Sequence, residues 1–515
     1  MKRDLIGKKQ ITLNMMANVV SYSANILISF VLTPFLINSL GKETYSFYPM
    51  ANTFVMYMSV LTNAMNSIAS RFVTVSIARD EKEEANKYFS STLCANLVMS
   101  AILLIPMILI VLFLDKFMEV PVNSKAAIQG LFSFVFASAI INISSSVFGI
   151  ATFAKNRIDL RSLRELVTAS LKLILFIVLY KFLPPSILYV GIVAITVAVV
   201  NLMFQMTYTK LLLPEVKIKR CNISLTHTKV LFSSSCWNAI NTFGNIMLAG
   251  MTMILANTFY GAAASGSYSI VQTVPQFING VIVMLVGVFY PVITYKYAQG
   301  DKDALLHELK NALKIVGSFG CAVITVFSAL SKEFFMLWVP EEDAVMLSIL
   351  SFITILPHFF ISCLWSLNNL NVVMNKVKIP ALFTVFCGVL NVSCAFIAYK
   401  LFHPGLISLS IISSSIQIIW IGVLITQYSS KNIGVPWYTF YIPLVKALCL
   451  AGVLIPAIVK VKSFFTINSW IRFMVLGACT GIIVLGCFVA VMIGARNIKS
   501  TALSLLKSRN RKTNK

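Results

Sequence analysis

Polar residues recur on one face of the first long apolar segment of the chain, roughly residues 12–38. Successive residues of a helix turn by about 100°, so polar positions three and four residues apart share one face of this segment. An unpaired amide moved from water into hydrocarbon costs roughly 2 to 7 kcal/mol, which predicts that the stripe faces protein or water rather than lipid. A single stripe also suits hydrogen bonds that join neighbouring helices. The stripe consists of Asn14, Asn18, Ser21 and Asn25.

The same polar pattern returns 220 residues later, in a second apolar segment of similar length. This offset also relates Gly41 to Gly261, and an offset of 219 relates Asn156 to Asn375. The sequence therefore predicts two bundles of about 220 residues laid end to end. Corresponding polar helices in two repeats are typical of membrane transporters with a central site. The second stripe consists of Ser234, Asn238, Asn241 and Asn245.

Fourteen apolar segments can be marked along the chain, which predicts an all-α polytopic membrane protein with 14 transmembrane helices. An even number of spans places both termini on one side of the membrane. The loops on that side carry 31 lysines and arginines, whereas the loops on the other side carry 8. Under the positive-inside rule, this difference predicts that both termini are cytoplasmic.

The amino-acid composition is that of a membrane protein. Apolar residues make up 58% of the chain and charged residues 12%, compared with about 45 to 50% and about 25% in soluble domains. The basic loops on one side account for the net charge of +24, so we predict no nucleic-acid partner. The ten cysteines lie singly and without metal-like spacing, so we predict neither a metal site nor a cofactor.

Ionisable residues are rare inside the apolar segments. All 18 carboxylates are assigned to loops or segment ends, and no acid follows Asp343. The sequence therefore lacks the buried carboxylate with which many carriers bind a coupling ion. Lys172 lies roughly 15 Å inside the fifth segment, where a cation costs at least about 2.5 to 3.5 kcal/mol. We expect Lys172 to face water or an anion, and a packing or topogenic lysine is the alternative.

Uncharged amides recur in several segments of both halves. Amides and hydroxyls suit a hydroxyl-rich solute, because a sugar offers many hydrogen-bond donors and acceptors and no net charge. We therefore predict a polar, substrate-binding cavity. Its predicted lining residues are Asn14, Asn18, Asn25, Asn63, Asn66, Asn238, Asn241, Asn245, Gln272 and Gln276.

A series of short motifs runs through the first 90 residues. The motifs are Asn38-Ser39-Leu40-Gly41, Tyr45, Arg71-Phe72, Asp80 and Phe89-Ser90. In this order they resemble the bacterial polysaccharide flippases of the polysaccharide transporter family. That family belongs to the superfamily that also holds the multidrug and toxin extrusion carriers and the lipid II flippases.

The resemblance implies a fold of two pseudo-symmetric six-helix lobes around a V-shaped central cavity, with two further helices at the C-terminus. Alternating access would then come from rocking of the two lobes. The expected divisions are an N-lobe at 1–213, a cytoplasmic linker at 214–228, a C-lobe at 229–430, helices 13 and 14 at 431–495, and a basic cytoplasmic tail at 496–515.

The resemblance also implies a substrate, a polyprenyl-pyrophosphate-linked oligosaccharide that is moved from the inner to the outer leaflet of the bacterial plasma membrane. Such transport serves the synthesis of capsule or O-antigen-type polysaccharide. The lipid tail would stay in the membrane lipid while the sugar crosses the polar cavity, and cations near the inner mouth would hold the pyrophosphate. We assign this role to Arg71, Arg157 and Lys172. Positive-inside anchoring is the alternative for the loop cations, and proteins of polysaccharide assembly are candidate partners.

Two other functions are less compatible with the sequence. A cation-coupled multidrug antiporter of the extrusion type usually has an acid in its first or seventh span, and neither span here has one beyond Asp4. A membrane enzyme of polysaccharide assembly needs carboxylates or a metal near the membrane face and usually a sizeable outer loop, whereas the outer loops here are short. We therefore expect transport rather than catalysis.

Overall fold

The computed structural model describes residues 2–121, 124–216, 222–374, 376–402 and 405–494, and its regular elements are helices. The all-α prediction is thus confirmed. The α-helices are α1 (Lys2–Leu40), α2 (Lys42–Ala78), α3 (Lys82–Leu112), α4 (Leu114–Phe117), α5 (Lys125–Ser145), α6 (Ile150–Ala154), α7 (Ile158–Phe182), α8 (Leu188–Leu212), α9 (Leu225–Ala249), α10 (Met251–Ala298), α11 (Lys302–Trp338), α12 (Ala344–Val373), α13 (Lys378–Phe402), α14 (Gly405–Ile419), α15 (Thr426–Ile433), α16 (Tyr441–Lys462) and α17 (Trp470–Ile493).

Long apolar runs set the length of these helices, and side-chain caps fix where several of them begin. The side chains of Ser224, Asp301, Asp343 and Ser469 accept hydrogen bonds from the first backbone N–H groups of α9, α11, α12 and α17. Within the described residues, eleven helical stretches are long and apolar enough to cross a membrane. One of them, Leu225–Gly287, has 63 residues, which is about three times the length that one crossing needs. The count of 14 spans stays a prediction.

The predicted repeat is visible in the backbone. Gly41 separates α1 from α2 with φ 78° and ψ 152°, and Gly261 interrupts α10 with φ 84° and ψ 176°. These dihedrals lie in a region that essentially only glycine adopts. The helix after Gly41 ends at residue 78 and the helix after Gly261 ends at residue 298, so both ends keep the offset of 220.

Later helix boundaries repeat in the same way. α3 begins at Lys82 and α11 at Lys302, while α7 and α13 are both 25 residues long and begin 220 residues apart. The turns before α3 and α11 each contain a left-handed residue, Asp80 with φ 59° and Gly300 with φ 71°. The two halves therefore share helix boundaries and turn conformations. Asn375, the predicted counterpart of Asn156, lies outside the described residues.

The chain divides into two compact units, Met1–Gly266 and Ser267–Lys515. The division falls within α10 rather than at the expected linker, and the lobe boundaries given above stay a prediction. In the first unit, α9 packs against α2 and α3. Leu231 joins a buried apolar cluster with Met65 and Phe89, and Ala239 and Ile246 complete a second cluster on α2. The first unit thus contains the helix that carries the second polar stripe.

The second unit is built around α11 and α12. These helices approach closely at Gly320, where a Cβ atom would lie 2.3 Å from the hydroxyl oxygen of Ser362. The C-terminal helices α16 and α17 pack on α11 in the same unit. Lys462 of α16 forms a 2.8 Å ion pair with Glu333, and its ammonium group also donates to the carbonyl of Ala329 at 2.7 Å.

Candidate functional site

Helix α1 packs against α7. Asn14, the first residue of the first polar stripe, forms hydrogen bonds at the start of α7. The Asn14 amide nitrogen donates to the backbone carbonyl of Asn156 at 3.0 Å and to its side-chain oxygen at 3.1 Å. The Asn14 side-chain oxygen accepts from the backbone N–H of Asp159 at 3.0 Å and from Gln10 at 3.0 Å. Asn14 is buried, so its hydrogen-bonding groups are used within the first unit.

Of the other three members of the stripe, one contacts α7 and two are exposed. Ser21 is buried and donates to a carboxylate oxygen of Glu165 at 3.4 Å. Asn18 and Asn25 are exposed. The Asn25 amide donates to the carbonyl of Ser21 on its own helix at 2.9 Å, which leaves its side-chain oxygen for other partners.

The second stripe shows the same pattern. Asn238 is exposed, and Asn241 and Asn245 are half-buried. The Asn245 amide donates to the carbonyl of Asn241 at 3.0 Å, which repeats the Asn25 contact at an offset of 220. Of the predicted cavity glutamines on α10, Gln272 is half-buried and Gln276 is exposed, and both belong to the second unit.

The two asparagines predicted on α2 have different surroundings. Asn63 is exposed and donates to the hydroxyl of Ser59 at 3.3 Å. Asn66 is buried and donates to the hydroxyl of Ser146 at 2.7 Å. Asn96, which is fully buried on α3, donates to the Asn66 oxygen at 3.1 Å. Asn66 therefore belongs to an internal polar network that joins α2, α3 and the turn after α5.

α7 carries most of the charge near this site. Arg157 forms a two-pronged ion pair with Asp159, with its Nε and Nη2 atoms 3.0 and 2.9 Å from the two carboxylate oxygens. The Asp159 carboxylate raises the pKa of Arg157, so the guanidinium stays charged. Arg161 pairs with Glu165 at 2.9 Å. Arg164, which is buried, reaches the same Glu165 oxygen only at 3.9 Å.

Lys172 lies on the same face of α7 and has an uncharged partner. Its Nζ atom donates to the hydroxyl oxygen of Tyr48 on α2 at 2.9 Å and lies 5.4 Å from the centre of the Tyr48 ring. Among the described residues, no carboxylate is within ion-pair distance of Lys172 or of Arg71, which is exposed near the end of α2. Of the three predicted pyrophosphate cations, only Arg157 is thus paired with an acid in the described part of the chain.

Three residues of this region were missed by the sequence analysis, namely Tyr48, Glu165 and Asn96. Glu165 could have been found, because it follows Arg161 by four residues and such pairs meet on a helix. Tyr48 carries no comparable signal, since its role depends on a contact with Lys172 that forms only in the folded protein, 124 positions away in the chain. The structure also places Glu165 two turns inside α7, deeper than the segment end to which it was assigned.

Comparison with solved structures identifies the kind of fold. A multidrug resistance transporter of the MATE family in the MOP superfamily, in an inward-facing conformation, matches with a TM-score of 0.69 and 13% identity, covering 82% of this chain and 98% of that chain. The lipid II flippase MurJ in an inward closed conformation matches with a TM-score of 0.67 and 16% identity, covering 93% of this chain and 98% of that chain. The fold is therefore that of multi-pass membrane proteins of the MATE and MurJ type.

Sequence comparison identifies the family. The family model described as "Polysaccharide biosynthesis protein" matches residues 11–295, which is more than half of the chain. The chain belongs to this polysaccharide biosynthesis protein family, and the resemblance found in its short motifs is confirmed. It is also 25% identical over 487 residues to the uncharacterized membrane protein EpsK of Bacillus subtilis, covering 93% of this chain and 94% of that protein.

Proposed function

We propose that this protein is a flippase that moves a lipid-linked oligosaccharide from the inner to the outer leaflet of the bacterial plasma membrane. The single observation that carries this proposal is the cationic face of α7, where Arg164 and Lys172 lack a close carboxylate partner among the described residues. Membership of a polysaccharide biosynthesis family and a fold like that of a protein named lipid II flippase support it.

A glycan headgroup pays a large free-energy cost when it moves through hydrocarbon. Each unpaired polar group costs several kcal/mol there, so the headgroup needs hydrogen-bond partners along its path while the lipid tail stays in the bilayer. Exposed amides such as Asn18, Asn25, Asn63 and Asn238 offer such partners without charge. Substrate sugars would exchange hydrogen bonds with water for hydrogen bonds with these amides.

The lipid carrier contributes the charged part of the substrate. We assign the substrate class as a polyprenyl-pyrophosphate-linked oligosaccharide, with Arg71, Arg157 and Lys172 as the pyrophosphate-binding cations. A cation at the depth of Lys172 costs at least about 2.5 to 3.5 kcal/mol, and an anionic group reduces that cost. The two bundles would rock in alternating access, with both termini in the cytoplasm, and proteins of polysaccharide assembly would supply and receive the lipid.

A multidrug antiporter is the second candidate, because the MATE-family structure matches this chain as well as MurJ does. Residues 10–42 and 225–249 contain no Asp or Glu. Helix α9, and α1 from residue 10 onwards, therefore have no carboxylate that could serve as a counter-charge for an organic cation. This observation favours an anionic substrate over a cationic one. A membrane enzyme of polysaccharide assembly is the third candidate, and we propose that the substrate leaves chemically unchanged.

The experiment is transport in proteoliposomes that contain the purified full-length protein and a fluorescent polyprenyl-diphosphate oligosaccharide. Accessibility of the glycan to an external lectin should rise with time in protein-containing vesicles and stay flat in protein-free ones. Mass spectrometry of the recovered lipid should show an unchanged mass. No change in accessibility, together with drug efflux in the same vesicles, would replace the flippase proposal with the antiporter, and an altered lipid mass would indicate an enzyme.

A further inference from the structure

We infer that one face of α7 is a path for the diphosphate of the substrate, with a first binding position at Arg164 and a second at Lys172, and that Glu165 is the internal counter-ion which the diphosphate displaces. This inference rests on the flippase proposal and assigns residues to one of its steps. The positions come from three observations: the alignment of charges on the helix, their unequal pairing, and the burial of Arg164.

The alignment follows from helix geometry. At about 100° per residue, Arg161, Arg164, Thr168 and Lys172 fall within a sector of about 80° on α7, and Arg157 directly precedes the helix. At about 1.5 Å per residue, Arg157 and Lys172 are roughly 22 Å apart along the helix axis, and Arg164 and Lys172 roughly 12 Å. The observed contacts agree with a shared face, because α1 meets it through Ser21 and α2 through Tyr48.

The pairing of these charges is unequal. Asp159 neutralises Arg157 with two short contacts. One carboxylate oxygen of Glu165 lies 2.9 Å from the guanidinium of Arg161 and 3.9 Å from that of Arg164. Four cations therefore share two carboxylates, and the surplus positive charge lies at Arg164 and Lys172.

The guanidinium of Arg164 is buried without a full set of partners, which favours binding of an anion. Arg164 is buried, with a relative exposure of 9% for the whole residue and 11% for its side chain, and its Nε atom has no hydrogen-bond partner among the described residues. A buried cation without full pairing is costly, and a guanidinium presents donors in a fork that matches phosphate oxygens. A diphosphate at Arg164 would supply both the missing charge and the missing acceptor.

Glu165 explains how such a site can release its ligand. In the structure its two carboxylate oxygens contact Arg161 and Arg164 on one side and Ser21 on the other. A bound diphosphate would replace Glu165 as the ion-pair partner of the two guanidinium groups. Glu165 would pair with them again once the ligand moves on towards Lys172. The Thr168 hydroxyl lies one turn from each position and donates to the carbonyl of Arg164 at 2.9 Å, so it can turn to meet a phosphate between them.

The test is equilibrium binding of farnesyl diphosphate and of inorganic pyrophosphate to the purified full-length protein. Arg164→Gln and Lys172→Gln should each weaken farnesyl diphosphate binding about tenfold or more. Glu165→Gln should strengthen it several-fold, because the competing carboxylate is gone. Lys181→Gln is the matched control, since Lys181 is an exposed cation at the other end of the same helix, and it should bind within about twofold of wild type.

A merely structural role for Arg164 gives a different result. In that case Glu165→Gln would not tighten binding, and Arg164→Gln would lower thermal stability without changing the affinity of the folded fraction. Arg164→Lys, which keeps the charge, should recover part of the affinity if the site binds an anion. Inorganic pyrophosphate should show the same ranking of variants. If neither ligand shows this ranking, the proposed path is wrong.

Failure of this inference can be told apart from failure of the proposed function. If wild type moves a polyprenyl-diphosphate oligosaccharide across vesicles and Arg164→Gln and Lys172→Gln do so equally well, the path on α7 is wrong and the flippase stands. If wild type moves no such lipid, the proposed function itself fails. Slow transport in Glu165→Gln with tighter binding would support Glu165 as the group that promotes release.

Discussion

The ammonium group of Lys172 donates to the hydroxyl oxygen of Tyr48 at 2.9 Å, which joins the middle of α7 to α2 within the first unit. The partner is a neutral hydroxyl, so the contact orients the lysine without cancelling its charge. Hydrogen bonds to charged groups contribute about 1.5 to 3 kcal/mol. The same contact therefore links two helices and leaves the positive charge of Lys172 uncompensated by it.

Tyr48→Phe should lower the free energy of unfolding by about 1.5 to 3 kcal/mol, because the lysine loses its oxygen acceptor. In a Lys172→Met background the same tyrosine change should cost much less, since no cation is left to satisfy. Thermal or chemical unfolding of the four proteins in detergent measures this coupling. Tyr189→Phe is the control, because the Tyr189 hydroxyl forms no hydrogen bond with described residues, and equal losses in both backgrounds would contradict the pairing.

Asn14→Ala should destabilise the first unit by about 1 to 3 kcal/mol. The change removes the acceptor of the Asp159 backbone N–H and the donor to Asn156, both at the start of α7, and Asn14 itself is buried. Asn18→Ala, one turn further along α1 and exposed, should change stability by less than about 0.5 kcal/mol. Unfolding curves of the two variants provide the comparison. If Asn14→Ala is as mild as Asn18→Ala, the described bonds do not hold α1 to α7.

Gly41→Ala and Gly261→Ala should destabilise the protein by similar amounts, of order 1 to 3 kcal/mol each, because both positions have a positive φ. At Gly261 a Cβ atom would also lie 2.4 Å from a carboxylate oxygen of Glu119. Glu119 is exposed, so the end of its side chain can move aside at little cost. Gly287→Ala, inside a helix and with open space around it, should be neutral or slightly stabilising. Thermal shifts in one detergent rank the three variants, and a loss at Gly287 equal to the losses at Gly41 and Gly261 would contradict the role of the positive φ.

Lys462→Met should destabilise the second unit by about 1 to 3 kcal/mol, because the carboxylate of Glu333, whose side chain is 18% exposed, would be left without its ion-pair partner. The double variant Lys462→Met with Glu333→Leu should recover most of that loss, since neither charge then remains. Lys332→Met removes an exposed neighbouring cation and is the control. Denaturation of the four proteins checks the pattern, and it would be refuted if the double variant were as unstable as Lys462→Met.

The repeat was readable from sequence because it rests on local features. A glycine such as Gly41 or Gly261 is needed wherever the backbone takes a positive φ of this kind, and helix length follows from the apolar run. The offset found between these two glycines predicts the shared ends of α2 and α10 and the shared starts of α3 and α11. Such features depend on near neighbours in the chain.

The partners of individual side chains were not readable in this way. Asn14 and Asn18 have the same residue type on the same stripe, yet one is buried against α7 and the other is exposed. The difference depends on how far α1 and α7 overlap, which no local pattern encodes. The same holds for Lys172, because its contact with Tyr48 joins residues 124 positions apart.

The place of α9 in the first unit bears on how the protein is made. Leu231, Ala239 and Ile246 complete the apolar clusters on α2 and α3, so the first repeat alone does not finish its own core. At about 5 to 20 residues per second, a ribosome needs roughly 3 to 10 s to add residues 214–266. During that interval the nascent bundle exposes the apolar α2 surface that α9 later covers, so the core of the first unit closes only after the second repeat has begun to be made.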